Sequence, residues 1–466
     1  MTKRVLINVY DNNEIIDFSK KLSEIYDFEI FATEKTFNFL SSNGILVEKF
    51  DWNKTDFDLV ICNFYPLSKF INKEMDEAEV LSHFDTEGLS ILQKYSKEYE
   101  KTLVITNPKQ YENIQEAIKN DSITEEMKKE YAQKALLEIC KINSDLINVL
   151  DKNNNFITIA EEKSQDLLYG ENPYQKAELY SEKSNILDYE ITSKKVLSYN
   201  NYLDINLATA MVSEFYDVNA AVITRHSMPC AAALGSTLEE AYLKATDCDP
   251  VSAYGGVVAF SKIITEKLAK VLSTMFLEII IAPDFEEEAL EILKEKDLKL
   301  VKIKTPLKDY KKYLSREIVK TPFGVLVQDV NNTELNKNTF KVVSKKKPTT
   351  EMVEDMVFAW KISKYTRSNS AVVVKDMKTV GISQGQSNRI DAIDIALDKA
   401  CENSKDAILA TDGAIATTEG IYDSAQARIA GIIQPAGIKK DKEIIDTVDK
   451  YEITMVTTGL RQFKNK

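Results

Sequence analysis

The sequence predicts an α/β protein of more than one domain, and three observations carry that expectation. Short apolar runs alternate with amphipathic stretches through the first third of the chain. After a polar break the same mixture resumes and continues to the C-terminus. At 466 residues the chain is also too long for one ordinary core.

In the first third, the runs "RVLINVY", "FEIFA", "DLVICNFYP" and "TLVITN" read as buried strands. The stretches "NEIIDFSKKLSEIY" and "NPKQYENIQEAIKN" read as the helices between them, which is the pattern of a parallel sheet. A long helical stretch, "ITEEMKKEYAQKALLEICKINSDLINVLDK", follows, and the polar "DKNNNF" marks a boundary. The first domain is therefore expected over residues 1–152 and a second over 153–466. Within the second, "AAVIT", "GGVVAF", "LEIIIAP" and "GVLVQ" form one group of strands. "SAVVVK", "TVGIS", "AILAT", "AGIIQP" and "ITMVTT" form another, beyond the polar "VNNTELNKNTFKVVSKKKPTTEM". Two similar subdomains, roughly 153–345 and 346–466, are expected, although no residue-level repeat is visible.

Composition narrows the function. Hydrophobic residues at 44% and charged residues at 29% are globular values. A net charge of −13 disfavours nucleic acid and anionic membranes, so an anionic small substrate needs a local cluster of Arg or Lys. Cys62, Cys140, Cys230, Cys248 and Cys401 are scattered without a CxxC pair, which argues against a disulfide framework or zinc site. "MTKRVLINVYDNNEII" lacks the apolar core of a signal peptide, and no apolar run approaches the roughly 20 residues of a membrane span, so a cytoplasmic protein is expected.

The candidate chemistry begins at "AAVITRHSMPCAAALGS", residues 220–236. A buried strand there runs into Arg225 and His226, and the chain has only two histidines. Strand ends are where α/β proteins place ligand-contacting residues, and His is the usual general base near neutral pH. The competing reading is a core histidine satisfied by a carbonyl. His226 and Cys230 alone make a poor metal site, and no metal is expected. "GISQGQSNR" (381–389) reads as strand, turn and helix start, with Ser387 or Asn388 as cap and Arg389 adding charge for an anion. "YGENPYQ" (169–175) and "LSYNNYLDIN" (197–206) offer Asn groups for a heterocycle edge, or plain turn chemistry. Arg461 and Phe463 in "TTGLRQFKN" lie beside a site or in a solvated tail.

In this order the segments resemble one family, the purine-synthesis proteins that combine AICAR formyltransferase and IMP cyclohydrolase. The stretches that carry the resemblance include "LLYGENPYQKAELY", "LSYNNYLDINLATAM", "AAVITRHSMPCAAALG", "CDPVSAYGGVVAFS", "FAWKISKYTRSNSAVVVK", "TVGISQGQSNRIDA", "ATDGAIATTEGI" and "TTGLRQFKN". "VLINVYDNNEIIDFSKKL" and "DLVICNFYPLSKF" extend it to the N-terminal part. The resemblance implies a methylglyoxal-synthase-like N-terminal domain and two cytidine-deaminase-like subdomains without zinc. It also implies a site at a homodimer interface and formyl transfer from 10-formyltetrahydrofolate to the 5-amino group of AICAR. On this reading His226 is the general base and Arg225 the charge stabiliser. Tyr169, Asn201, Asn369, Gln386, Arg389, Asp412, Arg461 and Phe463 shape the substrate pocket.

This sequence departs from the family pattern in several places. Where the family has Lys-His-Ala-Asn-Pro-Cys-Gly, this chain has Arg225, His226, Ser227, Met228, Pro229, Cys230 and Ala231. Leu168 replaces an Arg that contacts substrate in the family, the folate-lining "SDAFFPF" becomes "TDGAIAT", and Asn465 replaces a final His. The N-terminal part departs further. Its "STGGT" loop reads "FATEKT", and the segment around "GRVKTLHPKVHGG" is missing between "FDWNKTDFDLV" and the next strand. Tyr65, Asp85 and Lys97 fall on cyclohydrolase positions, but the expectation is that this activity is lost. The alternative to a transferase is a catalytically impaired paralogue that binds a purine nucleotide or serves as a regulatory or partner subunit.

Overall fold

The computed structural model describes residues 3–54, 56–67, 77–181, 186–296, 298–314, 316–335 and 340–465. The chain divides into two compact units, one of residues 1–164 with 180–184, the other of 165–179 with 185–466.

The first unit is a five-stranded parallel sheet. Strands β1 (Lys3–Asn8), β2 (Phe28–Ala32), β3 (Glu48–Lys49), β4 (Leu59–Cys62) and β5 (Leu103–Ile105) lie in the order β3-β2-β1-β4-β5. The expected parallel sheet is present, and its near-continuous apolar strands reflect cover on both faces. One face carries Ile15, Phe18, Leu22 and Tyr111, the other Ile91, Leu92, Tyr95 and Ala135. The order reverses at β1 and β4, so the crevice at their carboxyl ends is where such a sheet places a ligand.

The second unit is built on a single twelve-stranded mixed sheet. Its strands are β6 (Tyr189–Thr192), β7 (Ala220–Arg225), β8 (Met228–Leu234), β9 (Val257–Phe260), β10 (Ile279–Ala282), β11 (Lys299–Ile303), β12 (Lys341–Val342), β13 (Ala371–Lys375), β14 (Lys378–Ser383), β15 (Ile408–Thr411), β16 (Gly431–Gln434) and β17 (Thr454–Thr457). They lie in the order β12-β17-β16-β15-β13-β14-β8-β7-β9-β10-β11-β6. The order is two copies of one six-stranded pattern, joined where β8 pairs antiparallel with β14. The α/β fold class with a parallel N-terminal sheet and a larger mixed sheet is therefore as expected.

The copies keep geometry rather than sequence. In each, a helix precedes a tight hairpin: Tyr199–Ser213 before β7 and β8, Thr350–Ser363 before β13 and β14. These two helices lie together on one face of the sheet, where Phe215 and Phe358 approach to 5.2 Å between ring centroids. On the other face each copy buries its own apolar cluster. Small residues permit the close packing. At Gly381 in β14 a Cβ would fall 2.1 Å from the carbonyl oxygen of Ala396, in helix Arg389–Ala400.

Candidate active site

In the second unit the site is built on the two hairpins. β7 and β8 are joined by a two-residue turn, His226 and Ser227, with φ of 53° and 58°. Positive φ at both central positions is the geometry that lets a two-residue turn follow the twist of its strands. It brings the imidazole to the surface. His226 is exposed and makes no hydrogen bond among the described residues, so the core-histidine alternative does not hold.

Beneath it lies a cavity of about 140 Å³, lined by Arg225, His226, Met228, Pro229, Cys230, Asp249, Ser252, Ile382, Gln384 and Lys399. Arg225 donates from Nη1 to the carbonyl oxygens of Tyr254 (2.8 Å) and Val251 (3.4 Å), which anchors its charge at the rim. Lys399 arrives from the second half on helix Arg389–Ala400, and its Nζ stands 4.0 Å from Asp249. Lys262 and Lys375, which lie at or just past strand ends of this sheet, are engaged elsewhere: Lys262 donates to the carbonyl of Tyr216 and Lys375 to that of Lys405. Burial, with the charges of Asp249 and Asp204 next, pushes the Cys230 thiol up to about 12, so it lines the cavity as a neutral thiol.

Gln384 joins this cavity to a second cluster. Its side chain donates to the Pro229 carbonyl (2.8 Å), and its own carbonyl accepts from Gln386 (3.2 Å). The Asn369 side chain in turn donates to the Gln386 carbonyl (3.1 Å). Next to them, Asp412 is fully buried. Its carboxylate accepts from Arg389 Nη2 and from the Ser370 amide, both at 3.0 Å. The Arg389 guanidinium also donates to the Ala414 carbonyl (3.0 Å) and lies 5.7 Å from the centroid of the Phe463 ring, which Arg461 approaches to 4.3 Å. Asn388 caps the helix that carries Arg389, accepting from the Asp391 amide (2.9 Å).

The structure thus gathers Asn369, Gln386, Arg389, Asp412, Arg461 and Phe463 into one cluster and links it to Arg225 and His226. Two expected site residues are placed otherwise. Asn201 is buried at the start of helix Tyr199–Ser213. Its oxygen accepts from the Ser198 amide in a capping box, and its amide donates to Glu278 (2.8 Å). Tyr169 is half-buried in a closed turn, and its carbonyl accepts from the Tyr199 amide. Leu168 beside it is exposed. Sequence reasoning missed Asp249, Ser252, Gln384 and Lys399. Gln384 lies inside a quoted motif; Lys399 sits in a plain helical stretch with no local signal.

In the first unit the crevice at the ends of β1 and β4 is filled by the chain's own polar groups. Asn8 donates to Asp85 (2.7 Å) and accepts from the Thr33 hydroxyl. Asn63 accepts from the amides of Tyr10 and Asp11, and Thr36 from that of Val9. Asp85 caps helix Thr86–Lys97 through the Gly88 amide (2.8 Å). At Gly88 a Cβ would lie 2.3 Å from the Asn8 amide, so the space that glycine opens is already taken. Burial, then the charges of Asp85 and Glu34, raises the Glu87 carboxyl, which marks an acidic crevice. Tyr65 stacks on His83 at 4.1 Å between centroids. Lys97 is exposed at the far end of the helix that Asp85 caps, about 18 Å away by the rise of twelve residues. Asp85 and Lys97 are therefore not brought together.

Fold and site define an α/β protein that presents an exposed imidazole above a small cavity flanked by two cationic side chains, an arrangement suited to proton removal. The model for the AICARFT/IMPCHase bienzyme matches residues 95–399. The bifunctional purine biosynthesis protein PurH of Thermoanaerobacter sp. (strain X514) is 35% identical, with all of both chains covered. Those of Caldicellulosiruptor saccharolyticus and Fusobacterium nucleatum subsp. nucleatum are each 34% identical, again over all of both chains. The chain belongs to the AICARFT/IMPCHase bienzyme family, a family of purine-biosynthesis enzymes. The first of these alignments runs over 516 residues against the 466 of this chain, so this chain is shortened within it.

Proposed function

We propose that this protein works in purine biosynthesis by transferring a formyl group from 10-formyltetrahydrofolate to the 5-amino group of AICAR, and that it has lost IMP cyclohydrolase activity. The observation that carries the transferase reading is His226, exposed and, among the described residues, free of hydrogen bonds on its turn above the Arg225–Lys399 cavity.

The AICAR amine is conjugated with its ring and is a poor nucleophile. Its nitrogen attacks the formyl carbon while His226 takes the amine proton. The new C–N bond leaves a tetrahedral centre whose oxygen carries the negative charge. Arg225 and Lys399 lower the energy of that charge. Collapse breaks the bond to N10 of the folate, which leaves as tetrahydrofolate after taking the proton back from His226. Arg225 acts here as a fixed charge, because a guanidinium does not give up its proton. Lys399, whose ion pair among the described residues is a 4.0 Å approach to Asp249, is the group free to approach the oxyanion.

The donor side has less support. One Asp412 oxygen, Oδ1, accepts from both Arg389 and Ser370, and the 411–417 loop, TDGAIAT, carries no aromatic side chain to stack on a pterin. This favours, as a second reading, a paralogue that binds a purine nucleotide without turnover. For the first unit, the self-filled crevice, the acidic Asp85–Glu87–Glu34 group and the separation of Asp85 from Lys97 support loss of ring closure.

The test is tetrahydrofolate release from purified protein with AICAR and 10-formyltetrahydrofolate. Turnover that disappears in His226→Ala supports the transferase. AICAR binding in calorimetry without turnover supports the second reading. Conversion of formyl-AICAR to IMP would refute loss of the cyclohydrolase.

A further inference from the structure

Both halves of the second unit hold their hairpin turn in the same way. In the first half, Asp204 of helix Tyr199–Ser213 accepts from the Ser227 amide at 2.9 Å. In the second, Asp355 of helix Thr350–Ser363 accepts from the amides of Asp376 and Met377 at 3.0 and 2.7 Å. Each Asp lies six residues after the N-cap of its helix, Ser198 in one and Thr349 in the other. Each turn has two non-glycine residues at positive φ, 53° and 58° in one and 51° and 57° in the other. Such residues cost about 1 kcal/mol apiece or more, and a buried acceptor for the turn amides offsets that cost. The clamp is thus a repeated structural device, but only one copy has an imidazole on its turn.

We infer that Asp204 is a positioning residue for His226: its buried carboxylate holds the turn that presents the imidazole and favours the imidazolium formed when His226 takes a proton. The inference rests on the reading of His226 as general base. Asp204 is 7% exposed, so little solvent screens its charge. Burial, partly countered by the Ser227 amide and by His226, raises its carboxyl above the ordinary value. The other charged and titratable groups that face His226 are Arg225 and Cys230 on the hairpin, Asp249 on the neighbouring short helix and Lys399 on helix Arg389–Ala400. Glu278 stands behind Asp204. Two cations therefore oppose the imidazolium, and Asp204, on helix Tyr199–Ser213, is the buried anion bonded to its turn.

The duplicate clamp supplies the control. Asp204→Asn keeps an oxygen for the Ser227 amide and removes the charge; Asp355→Asn does the same at the turn without histidine. Because the chain has two histidines, His226 and His83, the imidazole of His226 can be followed by proton NMR across pH, with His83→Gln for assignment. The midpoint of the His226 titration should move to lower pH by about half a unit or more in Asp204→Asn, a roughly three-fold change in proton affinity. It should stay in place in Asp355→Asn. An unmoved midpoint in a folded Asp204→Asn, or an equal shift in Asp355→Asn, would overturn the inference. If Asp204→Asn does not fold, His226→Ala decides by reciprocity: the Asp204 carboxyl, followed by carbon NMR, should titrate at higher pH once the imidazolium is gone, and an unmoved midpoint would overturn the inference. Where the protein turns over AICAR, the acid limb of its kcat profile should follow the midpoint. Absence of turnover would sink the transferase reading and leave the titration result standing.

Discussion

Removing the Asp412 carboxylate should destabilise the second unit more than any other single change at the candidate site. Asp412 is fully buried and Arg389 has 15% of its side chain exposed, so neither can exchange its partner for water. Asp412→Ala leaves a buried guanidinium without its counter-ion and the Ser370 amide without an acceptor. Breaking a buried pair from one side costs about 3–5 kcal/mol, and an orphaned amide about 1–3 kcal/mol. The two losses share a group and do not add fully, so about 4 kcal/mol is expected. At roughly 2 °C per kcal/mol for a unit of this size, the calorimetric transition of the second unit should fall by about 8 °C. That of the first unit should not move. Asp412→Asn keeps an oxygen for Ser370 and should lie in between. A fall below about 2 °C in both variants would refute the reasoning, because it would mean that Arg389 finds water or another acceptor once the carboxylate is gone.

Other expectations follow from the same geometry. Burial and the neighbouring Asp423 raise the Asp394 carboxyl to about 6. A folded-state value above the unfolded one adds stability at low pH and loses it as pH rises through about 6, so Asp423→Asn should raise the Tm at pH 7.5 and change it less at pH 5. An equal effect at both pH values would contradict this. Gly413→Ala would place a Cβ 2.4 Å from Arg389 Nη2 and 2.5 Å from the Phe463 ring. The exposed Phe463 ring can swing away, but Arg389 can give way only slightly without leaving Asp412, so the expected result is AICAR binding weakened about five-fold or more in calorimetry, with a lowered Tm. Asp85→Ala removes a helix cap and the partner of buried Asn8, so the urea midpoint of the first unit should fall by the equivalent of about 2 kcal/mol. Lys399→Met should lower kcat of formyl transfer at least ten-fold, about 1.4 kcal/mol, while AICAR affinity changes less.

Much of this architecture was legible in the residues themselves. Apolar runs such as "DLVICNFYP" and "AAVIT" mark strands covered on both faces, and Asn388 marks a helix start, because these signals depend only on neighbours in sequence. The repeat in the second unit was legible only as two groups of strands, not residue by residue. Its copies conserve strand order and the Asp204 and Asp355 clamps but almost no side chains, since many apolar residues satisfy the same buried position.

The site divides in the same way. The sequence by itself determined the α/β class and a histidine at a strand end. Only the tertiary structure decided that His226 stands free, that Arg225 is tied to two carbonyls, and that Asn201 serves Ser198 and Glu278. Only there does Lys399 come from 173 residues away to share the His226 cavity. The reason is physical. Strand and helix formation is written in local periodicity, whereas a side chain's partners are fixed by which distant elements pack beside it.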